Sequence, residues 1–416
     1  MINLQSQIPN PSPPLPIPDP LRGRENGTWA HDTVTRRLPE IARRVLAEND
    51  LPAPAETAIR TLIAEIPTAP IRPLTDLSAP DAADWARYIF PHSGLSWLDV
   101  PWYFAEAYFY RRIIEATGYF LPGDGHARDP FRLQKRRGLD TKTDAIQNLA
   151  GHLNRALADT APWTHLSRLL HIALWGNRAD LSLWPAGEAG EHHISTDGTP
   201  PADDFLLIDD TAAVIARLRN AVTPRRIDFL CDNAGFELVC DLALADFLLT
   251  SGTAQTVVFH LKAHPTFVSD ALAADVRDTI TFLETPGGDA AQFSRRLAAH
   301  LAQNRLQLRP DFFWNSPLVF WEMPAGLRRN LSAAQLVISK GDANYRRLLG
   351  DCHWAFDTPF AEIARYFPAP LVALRTLKAE VAAGLPRTVT ESLSAEDPDW
   401  LTNGKRGVIQ FVMPPK

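Results

Sequence analysis

Two rhythms of apolar and polar positions divide the chain. From Thr33 to about Trp175 the apolar residues recur at helical spacing. Leu38, Ile41, Val45 and Leu46 share one face, and so do Trp97, Trp102, Ala105, Tyr108 and Ile113. This aromatic stripe reads most simply as core. Beyond Gly187–Asp204, a stretch of glycines, prolines and acidic residues that reads as a loop, the rhythm changes. Short β-rich runs now alternate with helical patterns: Phe205–Ile208, Ile227–Cys231, Thr256–Leu261, Leu336–Ile338, Leu371–Leu374 and Val408–Val412. Between the second and third runs, Leu238, Leu242, Ala245 and Leu249 form the stripe of one helix. Strand–helix–strand alternation predicts an α/β fold, a mostly parallel sheet covered by helices on both faces in a three-layer α/β/α sandwich. The expected organisation is a proline-rich arm over 1–22, a helical domain over 23–186, a linker over 187–204 and the α/β/α domain over 205–416.

The arm is set by composition. Seven of the 35 prolines lie between Pro9 and Pro20. Without N–H donors such a segment enters neither a ladder nor a helix interior, so an extended or flexible tail is expected. The 416 residues as a whole are 45% hydrophobic and 22% charged, enough for a sizeable core. Net charge is −6, from 42 basic against 48 acidic residues, which leaves no excess of cations to neutralise nucleic-acid or membrane phosphates. Three cysteines, with no Cys-x-x-Cys spacing, form neither a disulfide framework nor a zinc site and point to a reducing compartment. The first basic residue is Arg22, and no apolar run reaches the roughly 18 residues of a spanning helix. A cytoplasmic protein is expected, with neither nucleic acid nor membrane as partner.

In a parallel sheet ligands sit at the carboxyl ends of strands, so the residues after each apolar run carry the chemistry. Four exits are unusually polar. Asp232-Asn233 and Glu237 follow the second run, Lys262 and Ser269-Asp270 the third, Lys340 to Arg346 the fourth, and Arg375 to Lys378 the fifth. Asp232, Asn233 and Asp270 are oxygen donors that suit a hard divalent cation. Lys262, Lys340, Arg346 and Lys378 are cations able to hold a phosphate. Each group also has a plain reading: Asp-Asn as a cap or turn, Lys-Gly-Asp as a turn, Arg375 and Lys378 as a solvated helix face. Their joint arrangement at strand exits points to phosphoryl chemistry.

Other motifs fail their context. His260 and His264 lack the glutamate of His-Glu-x-x-His, and His260 lies in a strand pattern, so a structural histidine is expected. His192-His193 falls in the loop. There is no Gly-x-Ser-x-Gly elbow and no Walker A loop, and Asp209-Asp210-Thr211 lacks Asp-x-Asp spacing. Gly123-Asp124-Gly125 follows a helical pattern rather than a strand. Cys231 reads as a small buried hydrophobe.

The segment Cys-Asp-Asn-Ala-Gly-Phe-Glu-Leu from Cys231 to Leu238, with Asp241 to Asp246 after it, resembles the signature of the damage-control phosphatases, the former domain-of-unknown-function family 89. Lys262 to Asp270, Ser339 to Asp351 and Arg375-Thr376-Leu377-Lys378 agree with it. The last resembles the Arg-Thr-x-Lys motif of subfamily III, whose eukaryotic members are also described as acidic-residue methyltransferases. Upstream, Leu207 to Thr211, Asp129 to Lys135 and Pro101 to Glu106 look like family segments, so the resemblance covers nearly the whole chain after the arm. It implies a helical N-terminal domain beside an α/β/α sandwich. It also implies metal ligation by Asp232, Asn233 and Asp270, the first two near substrate. Substrate binding falls to Asp342, Ala343, Asn344, Tyr345, Arg346 and Lys378. In the methyltransferase description Glu237 and Asp270 meet S-adenosylmethionine. Ala343 departs from the larger leucine of many relatives.

The expected function is metal-dependent hydrolysis of small phosphate esters such as fructose 1-phosphate or fructose 6-phosphate. Mn²⁺ is the first choice of ion, before Co²⁺, Ni²⁺ or Mg²⁺, and a small phosphorylated metabolite is the expected partner. The alternatives are an S-adenosylmethionine-dependent protein-glutamate carboxyl methyltransferase and a non-catalytic metabolite-binding protein. No glycine-rich loop follows a first strand to hold the methyl donor.

Overall fold

The β-rich runs come together in one seven-stranded sheet. The computed structural model describes residues 12–176, 205–220 and 225–415; the expected linker and His192-His193 lie outside them. The strands are β1 (Leu206–Asp209), β2 (Arg226–Leu230), β3 (Thr256–Lys262), β4 (Leu306–Asp311), β5 (Leu336–Lys340), β6 (Leu371–Thr376) and β7 (Gly407–Val412). Their order is β1-β7-β6-β5-β2-β3-β4. All neighbours run parallel except β6 and β7. The sandwich expected from the alternation is therefore present, with a reversed edge formed by β7 and β1.

Strand side chains alternate between two cores, as the pleat requires. Leu230, Val337, Leu371, Ala373, Val408 and Val412 face one cluster. Ile227, Phe229, Leu336, Ile338, Val372, Leu374 and Ile409 face the other. Burial on both faces explains why these strands read as continuous apolar runs. β4 does not read that way: it is an edge strand, mostly exposed, and carries Pro310. An edge strand needs only one partner and tolerates both features.

The N-terminal helices do not keep a core of their own. Residues of Leu38–Glu48, Ala53–Glu65, Ala82–Ile89 and Trp102–Ala116 join the cluster on the first face together with Phe313, Trp314 and Leu348. Helices Thr143–Ala158 and Pro162–Trp175 join the second, where they pack over the helix Phe236–Thr250. That helix and Trp102–Ala116 are buried on nearly every side rather than along one stripe. The aromatic segment turns helical only at Trp102, after Pro101; Trp97 is buried in the preceding loop.

The described part of the proline-rich segment forms no helix, and it is not free. Leu21 N–H donates to Asp351 O at 2.9 Å, Trp102 N–H donates to Leu21 O at 2.8 Å, and the Leu21 side chain is buried. Among the described residues no helix is long and apolar enough to cross a membrane.

A buried charge group ties the loop after β3 to the helical half. Arg111 meets Asp76 and Asp81, each at 2.8 Å, and His264 Nε2 lies 3.7 Å from Asp81. Burial lowers the His264 pKa to about 4. Between that value and the ordinary 6.5 the unfolded chain binds a proton that the native imidazole refuses, so stability falls as pH falls through this window. The expected contribution is on the order of 3 kcal/mol. Urea unfolding at pH 6.5 and pH 4.5 should show a smaller acid loss for His264→Gln than for wild type. Equal losses would remove His264 from the acid response.

Candidate active site

The chain order places a crevice by itself. From β2 the next strand, β3, lies on one side, whereas β5 lies on the other, so the sheet changes direction between β2 and β5. Loops leaving the carboxyl ends of these two strands diverge and open a cleft. Its volume is about 450 Å³, and Asp232, Asn233, Glu237, Ser269, Asp270, Gly341, Asp342, Ala343, Arg346 and Lys378 line it. The exits of β2, β3, β5 and β6 thus meet, as the sequence predicted.

Asp232 and Asn233 are held by their backbone. Ala271 N–H donates to Asp232 O at 2.8 Å, and Ala234 N–H donates to Ser269 O at 2.6 Å. These bonds lay the Asp232 turn against the loop that carries Asp270. Phe267 and Val268 in that loop have φ of +46° and +67°. Positive φ on a β-branched residue is costly and persists only where the surroundings over-determine it, a condition common beside functional sites. Gly341, at φ +80°, closes the cleft floor: a Cβ there would stand 1.9 Å from Asp232 Oδ2.

The cations sort differently from the sequence reading. Lys262 Nζ lies 3.1 Å from Asp270 Oδ2. Lys340 Nζ lies 3.1 Å from Glu237 and 2.8 Å from Asp241. Arg375 approaches Asp342 Oδ1 at 2.7 Å and also donates to Ala379 O. None of the three lines the cleft. They are counter-ions standing behind carboxylates, because a buried acid needs a charged or hydrogen-bonding partner: Lys262 comes from the end of the same strand, Lys340 and Arg375 from the adjacent one. Arg346 does line the cleft, yet Glu106 holds it at 2.6 Å and Asp351 at 2.7 Å, and its guanidinium lies 3.5 Å over Trp102. Lys378 is exposed at the rim.

Asn344 and Tyr345 sit behind the wall. Asn344 Nδ2 donates to Lys340 O at 2.9 Å, and Tyr345 hydroxyl donates to Gln410 Oε1 at 2.8 Å. They fix the helix Gly341–Leu348 rather than face a ligand. His260 is structural, paired with Asp228 at 2.8 Å, and burial pushes the Cys231 thiol well up, which suits an inert thiol. Trp29, Arg37, Trp102, Glu106 and Phe267 also line the cleft and were missed. All but Phe267 come from the helical half, and no local spacing announces a contact across the fold.

Electrostatics single out Asp232. Burial raises its pKa well above the ordinary carboxylate range, the Glu237 and Asp270 carboxylates add to this, and Lys262 and Lys378 oppose it. Burial also raises Asp270, against the pull of Lys262. Asn233 Nδ2 lies 2.8 Å from Asp232 Oδ2 and 2.9 Å from Glu237 Oε2, a donor set between two carboxylates. Among the described residues no three His, Cys, Asp or Glu side chains converge closely enough to hold a metal unaided. The donor set is the mixed one of two carboxylates and an amide. Asn233 Oδ1 accepts from Ser269 at 2.5 Å. Turning the amide over points Oδ1 at Asp232 and leaves Nδ2 to donate to Ser269, so the side chain can serve as an oxygen ligand. Hard oxygen donors gathered where carboxylates repel one another suit a divalent cation.

The family profile described as "Damage-control phosphatase ARMT1-like domain" matches residues 33–393. The chain belongs to that family. A damage-control phosphatase ARMT1 from Danio rerio is 34% identical over 440 residues, covering 95% of this chain and 97% of the relative. Its namesake from Homo sapiens is 30% identical over 440 residues, covering 95% and 98%. A crystal structure of a family 89 protein from Pyrococcus horikoshii aligns with 91% of this chain and 96% of its own, at 14% identity and TM-score 0.45.

In this damage-control phosphatase family member, Gly341→Ala should act through Asp232. The added methyl meets Oδ2 at 1.9 Å and the φ of +80° disfavours it, so the Asp232 carboxylate must move. Thermal unfolding with and without Mn²⁺ tests the link: a rise in Tm that wild type shows and the cooperatively unfolding variant loses ties the ion to the Asp232 position. An undiminished rise would mean that the Asp232 position does not matter for the ion.

Proposed function

We propose that this chain is a metal-dependent phosphatase of small phosphate monoesters, with sugar phosphates such as fructose 1-phosphate and fructose 6-phosphate as substrates. The observation that carries this reading is the meeting of Asp232, Asn233 and Asp270 in the cleft that Lys378 also lines. The relatives' own name, damage-control phosphatase, supports the reaction class.

Asp232, Asn233 and Asp270 would hold the ion, with Mn²⁺ the leading choice and Co²⁺, Ni²⁺ and Mg²⁺ the others that an oxygen set accepts. A divalent cation bound there supplies positive charge to phosphoryl oxygens. Lys378 binds the phosphate as a mobile point charge from the rim. The helix Gly341–Leu348 begins at the cleft, and its first N–H groups add donors for the same oxygens. Asp342 serves by orientation: Oδ1 accepts from Arg375 Nε at 2.8 Å and from Lys378 N–H at 3.2 Å, which holds the Lys378 turn over the cleft. Arg346, neutralised by Glu106 and Asp351, shapes the wall and keeps its plane against Trp102. The methyltransferase reading draws less support, since Glu237 is engaged by Lys340 and Asn233.

Phosphate release from p-nitrophenyl phosphate and a sugar-phosphate panel, after EDTA and with Mn²⁺, Co²⁺, Ni²⁺ or Mg²⁺ restored, tests the reading. Hydrolysis should vanish with EDTA and return with metal. Asp232→Ala and Asp270→Ala should each lose about a hundredfold or more in kcat with cooperative unfolding retained. Lys378→Ala should raise KM about tenfold if it grips ground and transition states alike. No hydrolysis by a well-folded sample with any of these ions would overturn the proposal.

A further inference from the structure

The cleft holds one more cation that the proposed chemistry does not use. Helices Trp29–Asp32 and Leu38–Glu48 run into each other through a π-helical turn, Thr33–Arg37. Such a turn inserts one residue and re-aims the side chains beyond it, and it occurs often at functional sites. Here it separates two consecutive arginines. Arg36 points outward and pairs with Asp32 at 2.7 Å and Glu40 at 3.0 Å. Arg37 turns inward, half-buried, and lines the cleft.

Arg37 lies 4.6 Å over the Trp29 ring and reaches Thr33 Oγ1 only at 3.5 Å; among the described residues it has no carboxylate partner within ion-pair distance. Its field favours the Glu106 carboxylate, but that group is bonded to Arg346. Trp29 is itself anchored. Its N–H donates to Glu380 Oε1 at 2.9 Å, two residues beyond Lys378 in the chain. The helix start and the Lys378 turn are thus tied together, and Trp29 fixes the plane of a guanidinium whose fork of donors is largely unused.

We infer that Arg37 is a substrate-selecting residue. It binds a pair of adjacent oxygen acceptors on the part of the ester beyond the phosphate, either a vicinal diol or a second oxyanion. A planar fork matches two acceptors side by side, whereas the single charge of Lys378 suffices for the phosphate. A half-buried donor pair that faces such oxygens discriminates against compounds that lack them. This rests on the phosphatase reading for the identity of the ester.

The test compares Arg37→Gln and Arg37→Lys with wild type on phenyl phosphate, fructose 6-phosphate and 3-phosphoglycerate. Phenyl phosphate carries no acceptor beyond its phosphate. For Arg37→Gln the ratio of kcat/KM for the oxygen-rich esters to that for phenyl phosphate should fall about tenfold or more. A greater loss for 3-phosphoglycerate, partly restored in Arg37→Lys, identifies the oxyanion. A greater loss for fructose 6-phosphate, not restored by lysine, identifies the diol. An unchanged ratio overturns the inference, whether activity is kept or falls equally for all three. Trp29→Leu, which removes the plane behind the guanidinium, should move the ratio the same way and covers the event that Arg37→Gln does not fold. If wild type hydrolyses nothing, the phosphatase reading fails alone. The rise in Tm with each ester then reads the same selectivity, and an equal rise in wild type and Arg37→Gln overturns the role of Arg37.

Discussion

The structure depends on how it tolerates buried negative charge at the ends of its strands. Five acidic side chains crowd the exits of β2, β3 and β5, and four have a basic partner, three of them from a neighbouring strand. Lys262 serves Asp270, Lys340 serves both Glu237 and Asp241, and Arg375 serves Asp342. Burial still lifts Asp241 to about 7 despite the adjacent Lys340, a measure of how dry the region is. Asp232 is the exception. Its direct partner is the Asn233 amide at 2.8 Å, and two neighbouring carboxylates push against it. A cluster that gives four acids a basic partner, one of them shared, and leaves the fifth without one is arranged to receive positive charge from outside.

That arrangement explains both what the sequence disclosed and where it misled. Runs such as Ile227–Cys231 and Leu371–Leu374 are buried on both faces, so their apolar character survives in one dimension and six strands could be read directly. β4 escaped because an edge strand with half-buried Gln307 and exposed Arg309, Pro310 and Asp311 carries little apolar signal. The acids were also legible, because residues just past a strand end share a crevice whenever the order reverses, as it does between β2 and β5. The cations were not. Lys262, Lys340 and Arg375 occupy the same exits as Asp270 and Asp342, and spacing cannot tell a side chain that faces the cleft from one that leans back into the sheet. The side chains of Asn344 and Tyr345 lie outside the cleft lining for a related reason. They flank cleft residues on one short helix, but its turn directs them to Lys340 O and Gln410.

The helical half supplies what the strand ends lack. Acids and counter-ions come from the sheet, whereas Trp29, Arg37, Trp102 and Glu106 come from helices whose apolar faces merge with the sheet's own core. Arg346 is the joint between them. It leaves the helix after β5, is bonded to Glu106 on Trp102–Ala116, and shares Asp351 with the N–H of Tyr103. Removing one member of so buried a set leaves the others uncompensated, so it fixes the relative position of the two halves as much as it contributes stability. The wall facing the metal-ligand candidates is therefore built by residues more than a hundred positions away in sequence.

This division of labour bears on selectivity. On the proposed reading, a strand-end cluster that holds a cation and a phosphate is indifferent to the rest of the ester, since every monoester presents the same oxygens. Discrimination must come from the opposite wall, and that wall belongs to the helical half. A π-helical turn is a suitable device there because it places Arg37 at the cleft while Leu38, Ala42 and Val45 of the helix that follows lie in the core. The helix packing and the direction of the guanidinium are thereby decoupled, and the reach of the cleft toward its substrate can change while the buried charges behind it stay paired.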